Sequence, residues 1–496
     1  MTFIRKVKTA SGAIAVQIAR KQSGQIVQID HIGSAHSKEE LDLLITLAKQ
    51  RMHKGQMSLF NTPNMEIGIS LSKSYSDLLF NLLIEQYNHL GFDKLNDKDF
   101  AYLCIARIVE PTSKLDSIRV LDDLGIDGLN KDQLHRCLKR IITNNYRDEI
   151  AKLCFKYANQ ITKKGNPGIT LVLYDVTTLY FEVQKEDNYR KPGLSKERRL
   201  EPQIIVGLLV DQTGFPLELH SFEGNKAETK TILPVIKAFK RRHGMIDITV
   251  VADAGMLSQT NLESLAQAGY TYIVGSRLNK VPYGVAQYQK TKELTDNQII
   301  TTQTTIQSNR QFNRQRIIYQ YRAKRAALDR RNIKKQIDKA ERIVNGTTTA
   351  KRAKFLSVTT NDKQLNQVLI DKAYALVGIK GYVTNLNKPD QQIISYYHQL
   401  WHVEQSFRMS KSDLKARPIF HRKRDSIEAH LTIVLTALAI CKTIENHTDM
   451  SIRKLVKTLR PIRNGVVVIN GKEYPAKAVI PPHIKSILEK LYIAGH

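Results

Sequence analysis

Three acidic residues stand where metal-dependent chemistry would need them. Asp175 and Asp253 each follow a continuous β-prone apolar run, which predicts each at the C-terminal end of a buried strand. Neighbouring strand ends in one sheet bring two carboxylates together, and like charges so placed repel unless a cation lies between them. With Glu404 added from a helix on that sheet, three carboxylates would hold two Mg²⁺ ions about 3.5 to 4 Å apart, an arrangement used for in-line displacement at phosphodiesters.

Each acid also has an ordinary explanation. An aspartate after a strand is commonly a turn or cap residue, and Glu404 lies in a stretch whose pattern is also that of an amphipathic helix with solvated charges. The prediction therefore rests on the convergence of all three acids in space.

The segment around Glu404, residues 396–414, has no Pro or Gly and is predicted to be one unbroken helix. Steps of seven residues nearly superimpose on a helix, which places Tyr397, Glu404 and Lys411 in one row. An apolar stripe should lie beside that row and face a core; it consists of Leu400, Val403, Phe407 and Leu414.

The two aspartates must be positioned by a sheet. From residue 169 to 274 the sequence predicts the order β-β-β-α-β-α-β, an α/β arrangement in which helices cover a mixed sheet. Between about 279 and 391 the order is interrupted by β-like runs and by a basic helical stretch. Residues 322–342 hold nine Lys and Arg against three acidic residues, a net charge of +6, which suits either a solvated helix or phosphate contact.

The N-terminal sequence predicts three short strands over residues 3–31. They are followed by a helix with a capping box at Ser37 and Glu40 and a stop at Gly55. At the other end, residues 418–496 predict an apolar helix over 427–444 and then a smaller basic region.

Residues 74–163 have a helical pattern. Within it, residues 113–124, a turn with Gly125 and Gly128, and residues 131–142 resemble a helix-turn-helix, in which Arg136 and Lys139 belong to the basic second helix. A basic helical hairpin without DNA contact is the alternative interpretation.

The bulk composition favours a polyanionic partner. The 496 residues include 76 Lys and Arg against 47 Asp and Glu, a formal charge of +29, and nucleic acid is the expected polyanion. Four scattered cysteines argue against a zinc site or a disulfide framework. The longest apolar run, residues 431–441, is too short to span a bilayer, so a cytoplasmic protein is expected.

Several stretches resemble the DDE transposases of bacterial insertion sequences, in the branch with a Tyr-Arg-Glu-Lys signature. The resemblance covers about residues 165–445. It is carried by residues 173–179 and 251–256, each with one aspartate, by Tyr397, Glu404 and Lys411, and by residues 193–196, 222–225 and 381–385.

The resemblance implies a ribonuclease-H-like core interrupted by a mostly β insertion domain. It implies that Asp175, Asp253 and Glu404 bind two Mg²⁺ ions, for which Mn²⁺ would substitute, and that Tyr397 and Lys411 contact transposon-end DNA. Leu400 departs from the signature because it stands where the signature has Arg. Arg408 either replaces that arginine or pairs with Glu404.

The resulting hypothesis is a transposase that cuts double-stranded DNA at inverted-repeat ends and joins them to target DNA, as a homodimer on DNA in the bacterial cytoplasm and nucleoid. A structure-specific nuclease that does not join, a non-catalytic DNA-binding regulator and a metal-independent tyrosine recombinase are the alternatives. His398 and His402 are expected at the surface, Trp401 to pack, and His430 in the core.

The expected divisions of the chain are a β-meander with a helix (1–60), a helical DNA-binding region (61–164), the core in two parts (165–278 and 392–445), the insertion (279–391) and a C-terminal region (446–496).

Overall fold

The computed structural model describes residues 2–9, 12–22, 24–52, 69–163, 171–182, 185–193, 201–244, 248–256, 258–308, 311–348, 353–358 and 363–493. The chain forms two compact units. One consists of Met1–Leu138 with Thr443–His496, and the other of Lys139–Lys442.

The first unit begins with the predicted meander and helix. The strands are β1 (Thr2–Lys8), β2 (Ile14–Gln22) and β3 (Gln25–Ala35), and helix α1 spans Lys38–Met52. Half of the predicted capping box is present, because the Ser37 hydroxyl oxygen accepts from the Glu40 amide at 3.1 Å. The Glu40 carboxylate accepts from the amide of His36, one residue before the N-cap, at 2.7 Å. The predicted stop at Gly55 lies outside the described residues.

A short strand and four helices follow. The helical pattern of the sequence predicted the helices but not the strand. They are β4 (Ile69–Tyr75), α2 (Asp77–His89), α3 (Lys98–Val109), α4 (Asp116–Asp123) and α5 (Lys131–Thr143). Asp97 caps α3 by accepting from the Phe100 amide at 3.1 Å.

The second unit holds the predicted β-β-β-α-β-α-β order. After α6 (Tyr146–Lys163) come β5 (Leu171–Tyr180), β6 (Gln203–Val210), β7 (Pro216–Glu223), α7 (Ile232–His243), β8 (Thr249–Ala252), α8 (Gln259–Gln267) and β9 (Thr271–Ser276). Short 3-10 helices cover Glu228–Lys230 and Ala254–Met256.

The interruption of that order is mixed α and β, so the prediction of a mostly β insertion is wrong. It contains α9 (Tyr283–Gln289), β10 (Ile299–Ser308), β11 (Gln311–Tyr321), α10 (Ala323–Val344), β12 (Leu356–Val358), β13 (Lys363–Leu365), α11 (Gln367–Ala375) and β14 (Ile379–Thr384). Helix α11 lies where strand-like sequence was expected, and it is capped by the Asn366 side chain, which accepts from the Leu369 amide at 3.0 Å.

Strands from both parts form one mixed sheet of eight strands. Its order is β10-β11-β14-β9-β8-β5-β6-β7. Strand β8 pairs in parallel with β5 and β9, whereas the other neighbours are antiparallel. Three strands of the insertion, β10, β11 and β14, therefore extend the sheet that carries the two aspartates, whereas β12 and β13 pair in a separate two-stranded sheet.

The predicted helix over 396–414 is two helices, α12 (Asp390–His398) and α13 (Trp401–Ser412). Between them the amides of Gln399 and Leu400 donate to carbonyls three residues back, at 3.2 and 3.1 Å. Ile394, Tyr397, Leu400 and Val403 are all buried at intervals of three. A winding of three residues per turn aligns such a series more closely than an α-helix does.

The remaining elements are α14 (Arg424–Thr448), α15 (Ile452–Leu459), β15 (Asn464–Ile469), β16 (Lys472–Ala476) and α16 (Pro482–Ile493). Within the first unit, β15 pairs with both β16 and β4. Helix α14 is long and apolar enough to cross a bilayer, but 94% of its most apolar window is buried inside the protein, as in a core helix.

Candidate active site

Asp175 and Asp253 lie side by side at the centre of the eight-stranded sheet. The parallel pairing of β5 with β8 runs from Leu171 opposite Thr249 to Tyr174 opposite Ala252, so the next residue of each strand is an aspartate. Adjacent strands are about 4.8 Å apart. The register therefore brings the two predicted carboxylates together.

The two aspartates differ in their place on the strand. Asp253 directly follows β8, as predicted, and is exposed. Asp175 is half-buried inside β5 rather than at its end, which corrects the prediction, because β5 continues to Tyr180 along β6. The β-prone residues 176–180 carried that signal in the sequence.

Helix α13 places Glu404 in a cleft that Asp175 also lines. Val403, Ser406 and Phe407 are buried, and α13 contacts β5 and β6, so its polar face is left outward. A cleft of about 460 Å³ lies between the helix and β5. Its charged lining consists of Asp175, Glu404, Arg408, Lys411 and Arg417, and apolar and hydroxyl side chains complete it.

Tyr397 connects α12 to Asp253. Its hydroxyl donates a hydrogen bond of 3.0 Å to the Asp253 carboxylate, and the residue is only 5% exposed. Burial raises the pKa of this phenol well above its usual range, and the charges of Asp253 and Asp175 add to the effect. The phenol therefore remains protonated and acts as a donor to the acid.

The break between α12 and α13 divides the predicted row of signature residues between two helices. Tyr397 belongs to α12, whereas Glu404 and Lys411 belong to α13, so the three residues do not share one straight helix. The Leu400 side chain lies in the core, because the residue is only 7% exposed. Of the two roles considered for Arg408, an ion pair with Glu404 is not formed in the described part of the chain.

Lys380, on β14, is a residue that sequence reasoning missed. Its ammonium lies 4.4 Å from the ring centroid of Tyr397 and 5.6 Å from that of Tyr382. Burial lowers the pKa of Lys380 and Arg325 lowers it further, whereas Asp253 and Glu404 act in the opposite direction. Lys380 is the one residue of β14 that is not fully buried.

Other residues singled out from the sequence have clear positions. Arg136 and Lys139 are exposed on α5. His430 is buried and its ring lies 3.2 Å from the Ala416 carbonyl, as expected for a core residue. Trp401 is 49% exposed, so the expectation that it packs is wrong; it begins α13 and stacks on His402 at 4.0 Å.

The three acids offer ligands of the right chemistry for a divalent ion, because hard cations prefer carboxylate oxygen. Among the side chains that the structure describes, no group of three Asp, Glu, His or Cys residues is close enough to hold one ion. The fit to a divalent metal therefore lies in the chemistry of the three carboxylates.

Comparison with known proteins identifies the family. A family profile described as "Transposase DDE domain" matches residues 166–440, more than half of the chain. A search of curated protein sequences gave no significant match.

Among solved structures, a cryo-EM structure of the piggyBac transposase synaptic complex with hairpin DNA aligns with 74% of this chain and 70% of that chain. The identity is 10% and the TM-score 0.40, a likeness that carries no argument about this protein.

The profile match covers both aspartates, Glu404 and the whole eight-stranded sheet. DDE transposases depend on divalent metal ions, in agreement with the carboxylate donors at this site. The chain belongs to the DDE-domain transposases, enzymes that cleave DNA and transfer the cut strands.

Proposed function

We propose that Asp175, Asp253 and Glu404 are the catalytic residues of this transposase and that together they hold two Mg²⁺ ions, with Mn²⁺ as a substitute. The observation that carries the proposal is the register of β5 and β8, which puts the two aspartates next to each other. The cleft shared by Asp175 and Glu404 supports it further.

The pKa values of two neighbouring side chains are each affected by two of these acids. The charges of Asp253 and Asp175 raise the pKa of Tyr397, and those of Asp253 and Glu404 act to raise the pKa of Lys380. Electrostatic effects of this size fall off within a few ångströms in water but reach further in a half-buried site. These shared effects support the proposal that the three carboxylates act at one site.

A ribonuclease-H-like core in the Tyr-Arg-Glu-Lys branch of bacterial insertion sequences is the proposed architecture. Its support is the succession β7-β6-β5-β8-β9, in which two antiparallel pairings are followed by two parallel ones. Tyr397, Glu404 and Lys411 keep the spacing of the signature.

In the proposed mechanism the chain orients the acids and binds DNA phosphates. Bound metal ions supply activation of the attacking water or 3′-hydroxyl and stabilisation of the leaving oxygen. Tyr397 fixes one orientation of the Asp253 carboxylate through its 3.0 Å hydrogen bond. Arg408 and Lys411, on the Glu404 side of the cleft, would neutralise backbone phosphates of the DNA end.

The proposed substrates are the inverted-repeat ends of the protein's own element and a target duplex. A formal charge of +29 supports contact with long stretches of phosphate backbone. We assign base reading to residues 61–164, where Arg136 and Lys139 are exposed on α5. Because two ends must be brought together, the active form would be a homodimer on DNA, in the cytoplasm and on the nucleoid.

The test uses Asp253→Asn and Glu404→Gln proteins and duplexes that carry the terminal repeats of the element. Both variants should still bind the duplex, and cleavage in Mg²⁺ should fall by about 10³-fold, because each carboxylate stabilises bound metal by several kcal/mol. Glu293→Gln, which neutralises an exposed loop acid, is the control and should cleave normally.

Wild-type turnover in either variant contradicts the proposed site. A second assay with pre-cleaved ends separates the transposase from a nuclease, since only the transposase joins those ends to a target.

A further inference from the structure

The position directly before α13 supplies no cation where the signature has an arginine. Leu400 holds that position and is buried. Its neighbour Trp401 is exposed, but its indole carries no charge. A DNA end at this site places a phosphate beside the acids. Arg408 and Lys411 of α13 line the cleft with Asp175 and Glu404, so a cation that replaces the signature arginine would add its charge to theirs from another element.

Lys380 on β14 has the properties needed. It approaches the acids from the strand next to β9, and the charges of Asp253 and Glu404 act on its ammonium. Within the described part of the chain the ammonium forms no hydrogen bond and has no carboxylate oxygen within 4.0 Å. A half-buried ammonium with no oxygen partner keeps all three of its donors available.

The position of this ammonium is fixed by aromatic rings. It lies over the Tyr397 ring at 4.4 Å and within 5.6 Å of the Tyr382 ring, and the two rings contact each other edge to face at 4.9 Å. A cation over a ring face is stabilised by the ring quadrupole. Tyr397 therefore orients two groups, the Asp253 carboxylate through its hydroxyl and the Lys380 ammonium through its face.

We propose that Lys380 binds the scissile phosphate and so supplies, from β14, the phosphate contact for which Leu400 is unsuited. This inference rests on the proposed active site of Asp175, Asp253 and Glu404. The chemistry is a charge-assisted hydrogen bond from the ammonium to a non-bridging phosphate oxygen, which is stronger in a half-buried site than in open water.

The test measures coupling between Lys380 and the charge of one phosphate. End duplexes are made with either a normal phosphate or a neutral methylphosphonate at the scissile position, and their affinities are measured in chelator without divalent ions. In Lys380→Met, which keeps the aliphatic stem over the Tyr397 ring, the affinity ratio of charged to neutral duplex should fall about tenfold relative to wild type. Lys380→Arg should keep most of the wild-type ratio.

Two controls make the result specific. Lys372→Ala removes an exposed lysine on α11 and should leave the ratio unchanged. A methylphosphonate placed several nucleotides inside the repeat should affect wild type and Lys380→Met equally. Lys380→Gln replaces Lys380→Met if circular dichroism shows that the latter is unfolded.

A wild-type ratio in folded Lys380→Met or Lys380→Gln overturns the inference. Because the assay contains no divalent ion and reads binding, this outcome is distinct from failure of the acidic triad, which the cleavage assay with Asp253→Asn reports.

Discussion

Gly275 on β9 makes room for the contact between Tyr397 and Asp253. A Cβ atom at this position would lie 2.5 Å from the Tyr397 hydroxyl oxygen and 3.1 Å from the Ala254 nitrogen. Real Cβ atoms do not approach so closely, and the hydroxyl, at the end of a buried ring, has little freedom to move. The absence of a side chain at Gly275 is thus a condition for orienting the acid.

We predict that Gly275→Ala lowers the rate of end cleavage by about tenfold and the free energy of unfolding by about 1–3 kcal/mol, because the tyrosine is displaced. Tyr397→Phe should lower cleavage to a similar extent but cost only about 1 kcal/mol, because it removes the hydrogen bond and preserves the packing. Single-turnover cleavage and urea unfolding measure the two quantities.

The double variant decides whether the two residues act through one contact. Without the hydroxyl, Gly275→Ala should cost clearly less than it does in the wild type. Strictly additive losses would show that Gly275 has another role.

At the residue scale, the sequence could assign the three acids to their elements but could not indicate the groups around them. Asp175 and Asp253 follow apolar strand runs, and Glu404 has helical neighbours, so their elements were readable. The roles of Gly275 and Lys380 depend on α12 packing against β9 and β14, a contact between distant segments that no local pattern encodes. Trp401 was misjudged because an apolar sequence neighbourhood does not fix the side of the helix on which a residue lies.

The edge strand β7 is attached to the helices beside it by one buried carboxylate. The Glu218 side chain is 1% exposed and accepts hydrogen bonds from Arg242 and His243 of α7, while the ring of His220 lies 2.7 Å away. Arg242 also donates to Asp148 of α6 at 2.7 Å. Burial opposes ionisation of Glu218, but the bonds from His220, His243 and Arg242 outweigh it and lower its pKa to about 2.

We predict that Glu218→Gln lowers the free energy of unfolding at pH 7 by about 3 kcal/mol, since the pKa falls from 4.5 to about 2 on folding. A folded-state pKa below the unfolded value means that the stabilisation is complete above about pH 4.5 and is lost as the pH falls towards 2. Urea unfolding of both proteins between pH 7 and pH 2.5 measures it.

Glu223→Gln is the control on the same strand, because Glu223 forms an exposed pair with Lys226 and should change stability by less than about 0.5 kcal/mol. A difference between Glu218→Gln and wild type that does not shrink in acid would contradict the assignment.

At the scale of elements, the order of the core strands and helices could be predicted from the sequence. The partner of each strand and the break between α12 and α13 could not. Apolar runs are a local signal for strands and Ser37 is a local signal for a helix start, and the structure contains both the strands and this cap. The pairing of β4 with β15 joins segments almost 400 residues apart, so neither strand indicates its partner. The sequence did not predict the 3-10 turn before α13. The absence of Pro and Gly indicated one unbroken helix, whereas the residues that are buried at intervals of three are known only from the structure.

At the scale of the whole molecule, charge and family point in the same direction. The excess of 76 basic over 47 acidic residues is what a protein that follows a DNA backbone requires, and the profile match assigns it to the DDE transposases. The sequence motifs therefore indicated the function correctly. The motifs could not predict the distances between the three acids in space, because these depend on how helix α13 packs against β5 and β6.

The most direct test of that convergence is to replace Mg²⁺ with Fe²⁺ in the protein bound to its DNA end and to generate hydroxyl radicals with ascorbate and peroxide. Radicals formed at a bound ion cut the backbone nearby, so the account predicts cleavage at three separate places, around residues 175, 253 and 404. All three should be lost together in Asp253→Asn. Cuts at only one of them, or the same three cuts in Asp253→Asn, would contradict a single metal site built from these acids.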